Sequence, residues 1–238
     1  MLKEFDEIVG YESIKADMEH IIDIMRNKEK YTKLGVNTPH GLFLYGQPGV
    51  GKTTMVNCFI KASGRPAFVC RKDKADGDFI NKITETFKQA KENAPSIVFL
   101  DDLDKFANED EFHKDAEEYV TVQSCIDEVK NDEVFVIATA NDRDCLPRSL
   151  LRVGRFDRTI EIHVPIGKDA EAIIKHYLDK KQNVKDVDPA LVAKILYNNS
   201  CSCLETVINE AGLYAGFENK EYINETFDKS DKVSIEYG

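Results

Sequence analysis

One run of residues near the start of the chain has the residue types needed to hold phosphate groups. It reads Gly46-Gln47-Pro48-Gly49-Val50-Gly51-Lys52-Thr53 and matches the pattern G-x-x-x-x-G-K-(S/T). Glycines allow a backbone curl in which successive N–H groups point at one anion, and a helix that begins there adds its positive end. We expect Lys52 to reach the β- and γ-phosphates of a nucleotide, and the Thr53 hydroxyl to bind Mg²⁺. An ordinary glycine-rich turn is disfavoured, because an apolar strand precedes the motif and a helical pattern follows it.

Two adjacent carboxylates follow a second apolar segment, Ile97–Leu100. Asp101 is predicted to hold Mg²⁺, directly or through water. Asp102 is predicted to orient and polarise the water that attacks ATP. Since Asp104 follows, a solvated acidic turn is the alternative, and the phosphate motif favours the metal interpretation.

Two later segments carry polar groups whose pattern is less specific. Asn141 follows the predicted strand Val134–Thr139, where an amide can reach a γ-phosphate or a water, although asparagine is also an ordinary turn residue. Three arginines lie within seven residues of the segment Leu150–Arg158. Arginine neutralises charge on a transferring phosphoryl group, in cis or from a neighbouring subunit. Surface ion pairing with Asp157 explains their spacing equally well.

The elements that must position these groups follow from the hydrophobic pattern. Short apolar runs separated by helical patterns predict parallel strands that are buried on both faces. The predicted strands are Leu42–Tyr45, Ala67–Cys70, Ile97–Leu100, Val134–Thr139 and Thr159–His163. This alternation predicts an α/β fold, a P-loop NTPase three-layer sandwich with a five-stranded parallel sheet, over residues 1–167. Helical patterns alone follow and predict a small all-α domain over residues 168–218, with a frayed or truncated tail over 219–238.

Composition limits the partners and the compartment. The chain has 43 acidic and 32 basic residues and a net charge of −11, which disfavours nucleic acid as a main partner. No apolar run approaches the roughly 20 residues that span a bilayer, and the first residues lack the apolar stretch of a signal peptide. Six scattered cysteines without a C-x-x-C pair are typical of reduced thiols. We expect a cytoplasmic protein, or the cytosolic part of a longer one.

Together these segments resemble the AAA (AAA+) ATPase family, most of all the ATPase domains of membrane-anchored ATP-dependent zinc metalloproteases and proteasomal-type ATPases. The resemblance runs from Phe5-Asp6-Glu7-Ile8-Val9-Gly10 to about Ala215, and Ala138–Arg158 is similar to the family's second region of homology. It implies an ATPase that hydrolyses ATP to ADP and phosphate with Mg²⁺. It also implies a homo-oligomeric ring, usually a hexamer, that remodels a protein partner, although the isolated module is compatible with a monomer.

The resemblance also implies roles for single residues. Asn141 is identified with the family's sensor of the γ-phosphate. Arg155 and Arg158 match two arginine fingers that enter the neighbouring subunit's site, and the helices after Gly167 match the family's lid domain. The residues implied to contact adenine or ribose are Ile8, Val9, Gly10 and His176. Those implied to hold the phosphates are Gln47, Pro48, Gly49, Val50, Gly51, Lys52, Thr53 and Thr54.

Departures from the family pattern support a second hypothesis. The acidic strand ends in Asp101-Asp102 where the family has Asp-Glu, and a side chain one methylene shorter predicts slower turnover. The pore loop aligns with Lys74-Ala75-Asp76-Gly77, which lacks the aromatic residue that grips a polypeptide, and the loop Asn108–Asp115 is acidic rather than glycine-rich. In the lid, Cys201 replaces a glycine and adds bulk.

The alternative function is therefore a nucleotide-dependent switch or assembly module with slow ATP hydrolysis. A nucleic-acid motor is a third possibility that the net charge disfavours. No His-Glu-x-x-His occurs in the sequence, so we expect no protease site within it.

Overall fold

The chain is divided into two compact units. The computed structural model describes residues 2–72, 79–105, 117–144, 146–152, 154–221 and 223. The first unit contains Glu12–His163 with the described residues up to Ile8. The second contains the described residues from Val164 onward, together with Val9–Tyr11. Among the described residues, no helix has both the length and the apolar character needed to cross a bilayer.

A parallel sheet forms the centre of the first unit. Within the described residues its strands are β1 (Gly41–Tyr45), β2 (Ala67–Cys70), β3 (Ser96–Leu100), β4 (Val134–Ala140) and β5 (Arg158–Glu161). The order across the sheet is β2-β3-β4-β1-β5, and every pairing is parallel. The carboxyl ends of all these strands therefore lie at one edge of the sheet, and the predicted α/β class with a five-stranded parallel sheet is confirmed.

Helices cover both faces of this sheet. They are α1 (Glu12–Arg26), α2 (Lys28–Thr32), α3 (Lys52–Ser63), α4 (Phe79–Glu92) and α5 (Glu117–Glu128). Successive strand residues point to opposite faces. Phe43 and Val98 accordingly join a buried cluster with α4 and α5, whereas the Phe135 ring stacks at 5.9 Å on Phe59 of α3. The result is the predicted three-layer sandwich.

Several strand and helix ends differ from the sequence prediction by one to three residues. The helical pattern after the phosphate loop predicts a helix that starts at Thr54, whereas α3 begins at Lys52, which places the lysine and Thr53 in its first turn. The β5 strand ends at Glu161 rather than His163. Its ladder nevertheless continues by one bond, because the N–H of Ile162 donates to the carbonyl of Tyr45 at 2.7 Å.

The regular elements of the second unit are helices, apart from a parallel bridge between Val184 and Ile223, over its described residues. Its helices are α6 (Lys168–Asp179), α7 (Pro189–Ile195) and α8 (Cys201–Phe217). Side-chain caps begin two of them: Asp188 accepts a hydrogen bond from the N–H of Ala190 at 2.9 Å, and Ser200 accepts one from Cys203 at 3.3 Å. With this cap α8 begins at Cys201, three residues before Leu204, where the apolar pattern of the sequence predicts the helix to start. The predicted tail, residues 219–238, lies mostly outside the described residues.

Candidate functional site

The loop between β1 and α3 curls tightly at the carboxyl edge of the sheet. A β-carbon at Gly46 would lie 2.1 Å from the carbonyl oxygen of Ile162, so only glycine fits there. Gly49 and Gly51 have φ angles of 80° and 95°, which glycine adopts without strain. Such a loop is typical of a backbone nest for anions, and α3 begins directly after it.

Lys52 lies inside this loop. Its side chain is 7% exposed. Nζ donates to the carbonyls of Gly46 at 2.7 Å and Gln47 at 3.1 Å, and to Oδ1 of Asn141 at 2.9 Å. Burial lowers the pKa of the ammonium, and the carboxylates of Asp102, Asp104 and Asp101 oppose that shift. All the acceptors bonded to Lys52 are neutral, so phosphate oxygens would be stronger partners for it.

Asp101 is the buried acid of the site. It follows β3 and is 3% exposed. Its Oδ1 accepts hydrogen bonds from Thr139 at 2.8 Å and from Thr53 at 3.2 Å. The latter bond joins the first turn of α3 to the end of β3, as the two motifs in the sequence predict.

The oxygens of Thr53 and Asp101 fit a magnesium ion. Mg²⁺ takes oxygen ligands at about 2.1 Å in octahedral geometry, in which adjacent ligands lie about 3 Å apart. The observed separation between Thr53 Oγ1 and Asp101 Oδ1 is 3.2 Å. A hydroxyl and a carboxylate are also donors that this hard cation prefers.

Asp102 and Asp104 complete the acidic segment in different ways. Asp102 has a φ angle of 54°, a left-handed conformation that aspartate tolerates better than most residues. Its N–H donates to Thr139 Oγ1 at 3.0 Å, and its carboxylate is 2.6 Å from Lys105 Nζ. Asp104 accepts the N–H of Asn141 at 2.9 Å. The segment is therefore bonded to the end of β4, and it is not the freely solvated turn of the alternative interpretation.

Asp104 and Thr139 are site residues that sequence reasoning missed. Asp104 holds the backbone of Asn141, whose amide in turn accepts from Lys52. Thr139, fully buried in β4, bonds both members of the acid pair. A threonine among apolar strand residues and a third nearby aspartate were the only available signals.

Arg71 is a third residue that the sequence did not single out. It directly follows β2, and its guanidinium pairs with Asp101 at 3.3 Å and lies 4.0 Å from Asp102. The acid pair is thus contacted by two cationic side chains, Arg71 and Lys105.

The residues predicted to contact adenine or ribose are distributed over both units. Ile8 belongs to the first unit, where its carbonyl accepts from Lys15 at 3.1 Å. Val9, Gly10 and His176 belong to the second. Their contact with a nucleotide stays a prediction.

The two predicted arginine fingers have different surroundings. The Arg155 guanidinium forms a two-pronged pair with Asp127, at 2.9 and 2.7 Å, and donates to the Ser149 carbonyl at 2.6 Å. Its hydrogen bond with Asp127 raises the pKa of Arg155 and lowers that of the carboxyl. Arg158 begins β5 and is exposed. By contrast, Arg155 would have to leave Asp127 and the Ser149 carbonyl before it could enter a neighbouring subunit.

Of the other positions that depart from the family pattern, only Cys201 lies within the described residues. The pore-loop positions Lys74–Gly77 and the acidic loop Asn108–Asp115 lie outside the described residues. In the second unit, Cys201 Sγ is 3.5 Å from the hydroxyl of Tyr11, and burial raises the pKa of the thiol. An effect of this thiol on nucleotide contacts stays a prediction.

The fold and the site together define a class of protein. A glycine loop joins a central parallel strand to a helix, its lysine is bonded to the asparagine after β4, and its threonine is bonded to the acid after β3. That combination is a P-loop nucleotide-binding domain.

Comparison with protein families identifies one family within this class. A family model described as ATPase family associated with various cellular activities (AAA) matches residues 42–164, just over half of the chain. The chain belongs to this AAA family, and the resemblance inferred from its motifs is confirmed.

The chain is also similar to curated ATP-dependent zinc metalloproteases. It is 33% identical to FtsH of Caldicellulosiruptor bescii over 92% of this chain and 38% of that protein. It is 32% identical to FtsH 1 of Bdellovibrio bacteriovorus over 97% of this chain and 38% of that protein. It is 29% identical to YME1L1 of Homo sapiens over 92% of this chain and 30% of that protein. The chain therefore spans between 30% and 38% of the length of these curated relatives.

Replacing Lys52 with alanine tests the site. Because Lys52→Ala removes charge-assisted bonds to phosphate, we expect the affinity for ADP with Mg²⁺ to fall at least about tenfold in isothermal titration calorimetry. Lys61→Ala is the matched control, since Lys61 lies on the same helix, is exposed and pairs with Glu7. Equal affinities in the two variants would contradict the assignment of the loop as the phosphate site.

Proposed function

We propose that the chain binds ATP with Mg²⁺ and hydrolyses it to ADP and phosphate. The observation that carries this proposal is the joining of three strand ends at one point. Lys52 is 2.9 Å from Asn141, and Thr53 is 3.2 Å from Asp101. Phosphoryl transfer needs a cation on the phosphates, a metal and a positioned water. Lys52 would be the cation, and Thr53 with Asp101 would be ligands of the metal.

Each residue would then have a separate role. Lys52 would leave its neutral acceptors for the β- and γ-phosphates, and the loop N–H groups would bind the remaining oxygens. Thr53 and Asp101 would hold the metal, which when bound neutralises charge on the β- and γ-phosphate oxygens. Asp102 would accept a proton from a water whose oxygen bonds to the γ-phosphorus, while the bond from that phosphorus to the bridging oxygen breaks and releases ADP. Asn141 would contact the γ-phosphate or that water.

A nucleotide switch with slow hydrolysis is the second candidate. Asp102 is one methylene shorter than the family's glutamate, and its carboxylate is 2.6 Å from Lys105 and 4.0 Å from Arg71. A carboxylate held by an ion pair has to give up that contact before it can accept a hydrogen bond from water. These contacts favour slow turnover.

We propose further that the active form is a homo-oligomeric ring in which arginines complete a neighbour's site. AAA membership supports assembly in general, and the exposed Arg158 supports its use in trans. Hexameric stoichiometry and a cytoplasmic location are parts of this proposal that rest on the resemblance to the family.

The partner of the ring is proposed to be a protein. The curated relatives are ATP-dependent zinc metalloproteases by name, so the work proposed is the remodelling of a protein, as the ATPase module of such a protease. The net charge of −11 opposes binding to nucleic acid.

Substitution of Asp102 separates the two candidate functions. For an ATPase, Asp102→Asn should lower kcat about a hundredfold or more, because a neutral amide cannot act as a base. Asp102→Glu should change kcat less than about tenfold. Phosphate release under saturating ATP is the measurement. A wild type near background whose rate rises steeply in Asp102→Glu would instead establish the switch.

Mixing of variants tests whether Arg158 acts in trans. Arg158→Ala should abolish the rise of ATPase rate per subunit with protein concentration, since the neighbour's site stays incomplete. Adding Lys52→Ala subunits, which are inactive but carry Arg158, should restore activity. Arg155→Ala, which changes the other predicted finger, should also lower the ATPase rate, and unlike Arg158→Ala it should lower Tm by several degrees because Asp127 loses its partner. If the ATPase activity does not recover in the mixture, the proposal that neighbouring subunits share a site is contradicted.

Stimulation of the ATPase identifies the class of partner. Reduced, carboxymethylated casein, which is unfolded, should raise the rate severalfold if the chain remodels proteins. Double-stranded DNA and RNA should have no effect at physiological salt because of the net charge. Stimulation by nucleic acid alone would reverse the assignment.

A further inference from the structure

Arg71 lies opposite the acid pair because β2 and β3 are neighbours in the sheet. The N–H of Asp101 donates to the carbonyl of Cys70 at 3.0 Å, so the two strands are still paired where Arg71 begins. From there Nη1 reaches Asp101 Oδ2 at 3.3 Å, and Nη2 lies 4.0 Å from Asp102 Oδ2. One guanidinium thus lies between both carboxylates.

Neighbouring contacts hold the backbone from which Arg71 extends. Its carbonyl accepts from Lys82 Nζ of α4 at 2.8 Å. The next residue, Lys72, pairs at 3.0 Å with Glu118 of α5. Contacts with α4 and α5 therefore hold the backbone at Arg71 and Lys72, while half of the Arg71 side chain is exposed. This arrangement favours a specific contact with the acids over a chance surface encounter.

The two oxygens of Asp101 are used differently. Oδ1 accepts from the hydroxyls of Thr139 and Thr53, whereas Oδ2 accepts from Arg71. A cation that binds Asp101 therefore meets the positive charge of Arg71 on the same carboxylate. Two cations on one carboxylate repel each other, so each lowers the affinity of the other.

We propose that Arg71 competes with the divalent metal for Asp101 and thereby lowers the metal affinity of the nucleotide site. This inference rests on the proposed function, because it concerns the metal of that site. As a consequence, the site needs a higher concentration of free Mg²⁺ to be occupied than it would need if Thr53 and Asp101 had no arginine beside them. The strength of the competition is set by a half-exposed ion pair, so we expect a moderate effect that is screened by salt.

The test compares Arg71→Gln with Lys72→Gln. Both substitutions remove one positive charge, and they are adjacent in the chain, but Lys72 pairs with Glu118 rather than with the acids. Mn²⁺ serves as the probe, and electron paramagnetic resonance counts the free ion in 150 mM salt. Titrations are made with Mn²⁺ alone and with Mn²⁺ plus ADP.

Arg71→Gln should bind Mn²⁺ about fivefold more tightly than the wild type in both titrations, equivalent to roughly 1 kcal/mol. Lys72→Gln should differ less than about twofold, since the ammonium of Lys72 pairs with Glu118 and not with Asp101. An Arg71→Gln affinity equal to that of Lys72→Gln, or weaker than wild type, would overturn the inference. Failure of the wild type to bind ADP would count against the proposed function instead, and the titration with Mn²⁺ alone would still test Arg71.

Discussion

The close approach of Gly46 to the carbonyl of Ile162 determines where the phosphate loop can begin. A β-carbon at Gly46 would lie 2.1 Å from that oxygen. The backbone after β5 remains paired with the end of β1 through the Ile162 N–H. The loop therefore begins at the first point where the chain leaves the sheet, next to the ends of its neighbours. Since all pairings are parallel, β3 and β4 end at the same edge, and every polar group of the site extends from there.

Two sets of hydrogen bonds convert this common edge into a single site. One set links Lys52, Asn141 and Asp104, and so connects the loop to the residues after β4 and β3. The other set links Thr53, Asp101 and Thr139, and so connects the start of α3 to the ends of β3 and β4. Because Thr139 also accepts from the N–H of Asp102, the position of the acid that would orient water depends on a buried side chain of the central sheet. Hydrogen bonds that share donors and acceptors in this way are difficult to shift one at a time.

Charge in the site is balanced locally although the whole chain is strongly acidic. Lys52, Arg71 and Lys105 lie next to the acidic segment 101–104, within a molecule whose net charge is −11. Local cations make the site attractive to phosphate, whereas the overall charge opposes polyanions. The same cations restrain the acids that would bind metal and water. Nucleotide binding and rapid hydrolysis consequently place opposing demands on Arg71 and Lys105.

The amino-acid sequence by itself determined the fold class, the phosphate loop and the acids at the end of β3, because these depend on local patterns: apolar strands, glycine spacing and the Lys-Thr pair. Only the tertiary structure decided the strand order, and therefore which distant side chains meet. Neither Arg71 after β2 nor Thr139 within β4 has a local signature, and their roles arise because both strands flank β3. Likewise, three closely spaced arginines are equivalent in the sequence, yet folding pairs Arg155 with Asp127 of α5 and leaves Arg158 exposed. Contacts between residues far apart in the chain depend on packing, which local residue patterns do not encode.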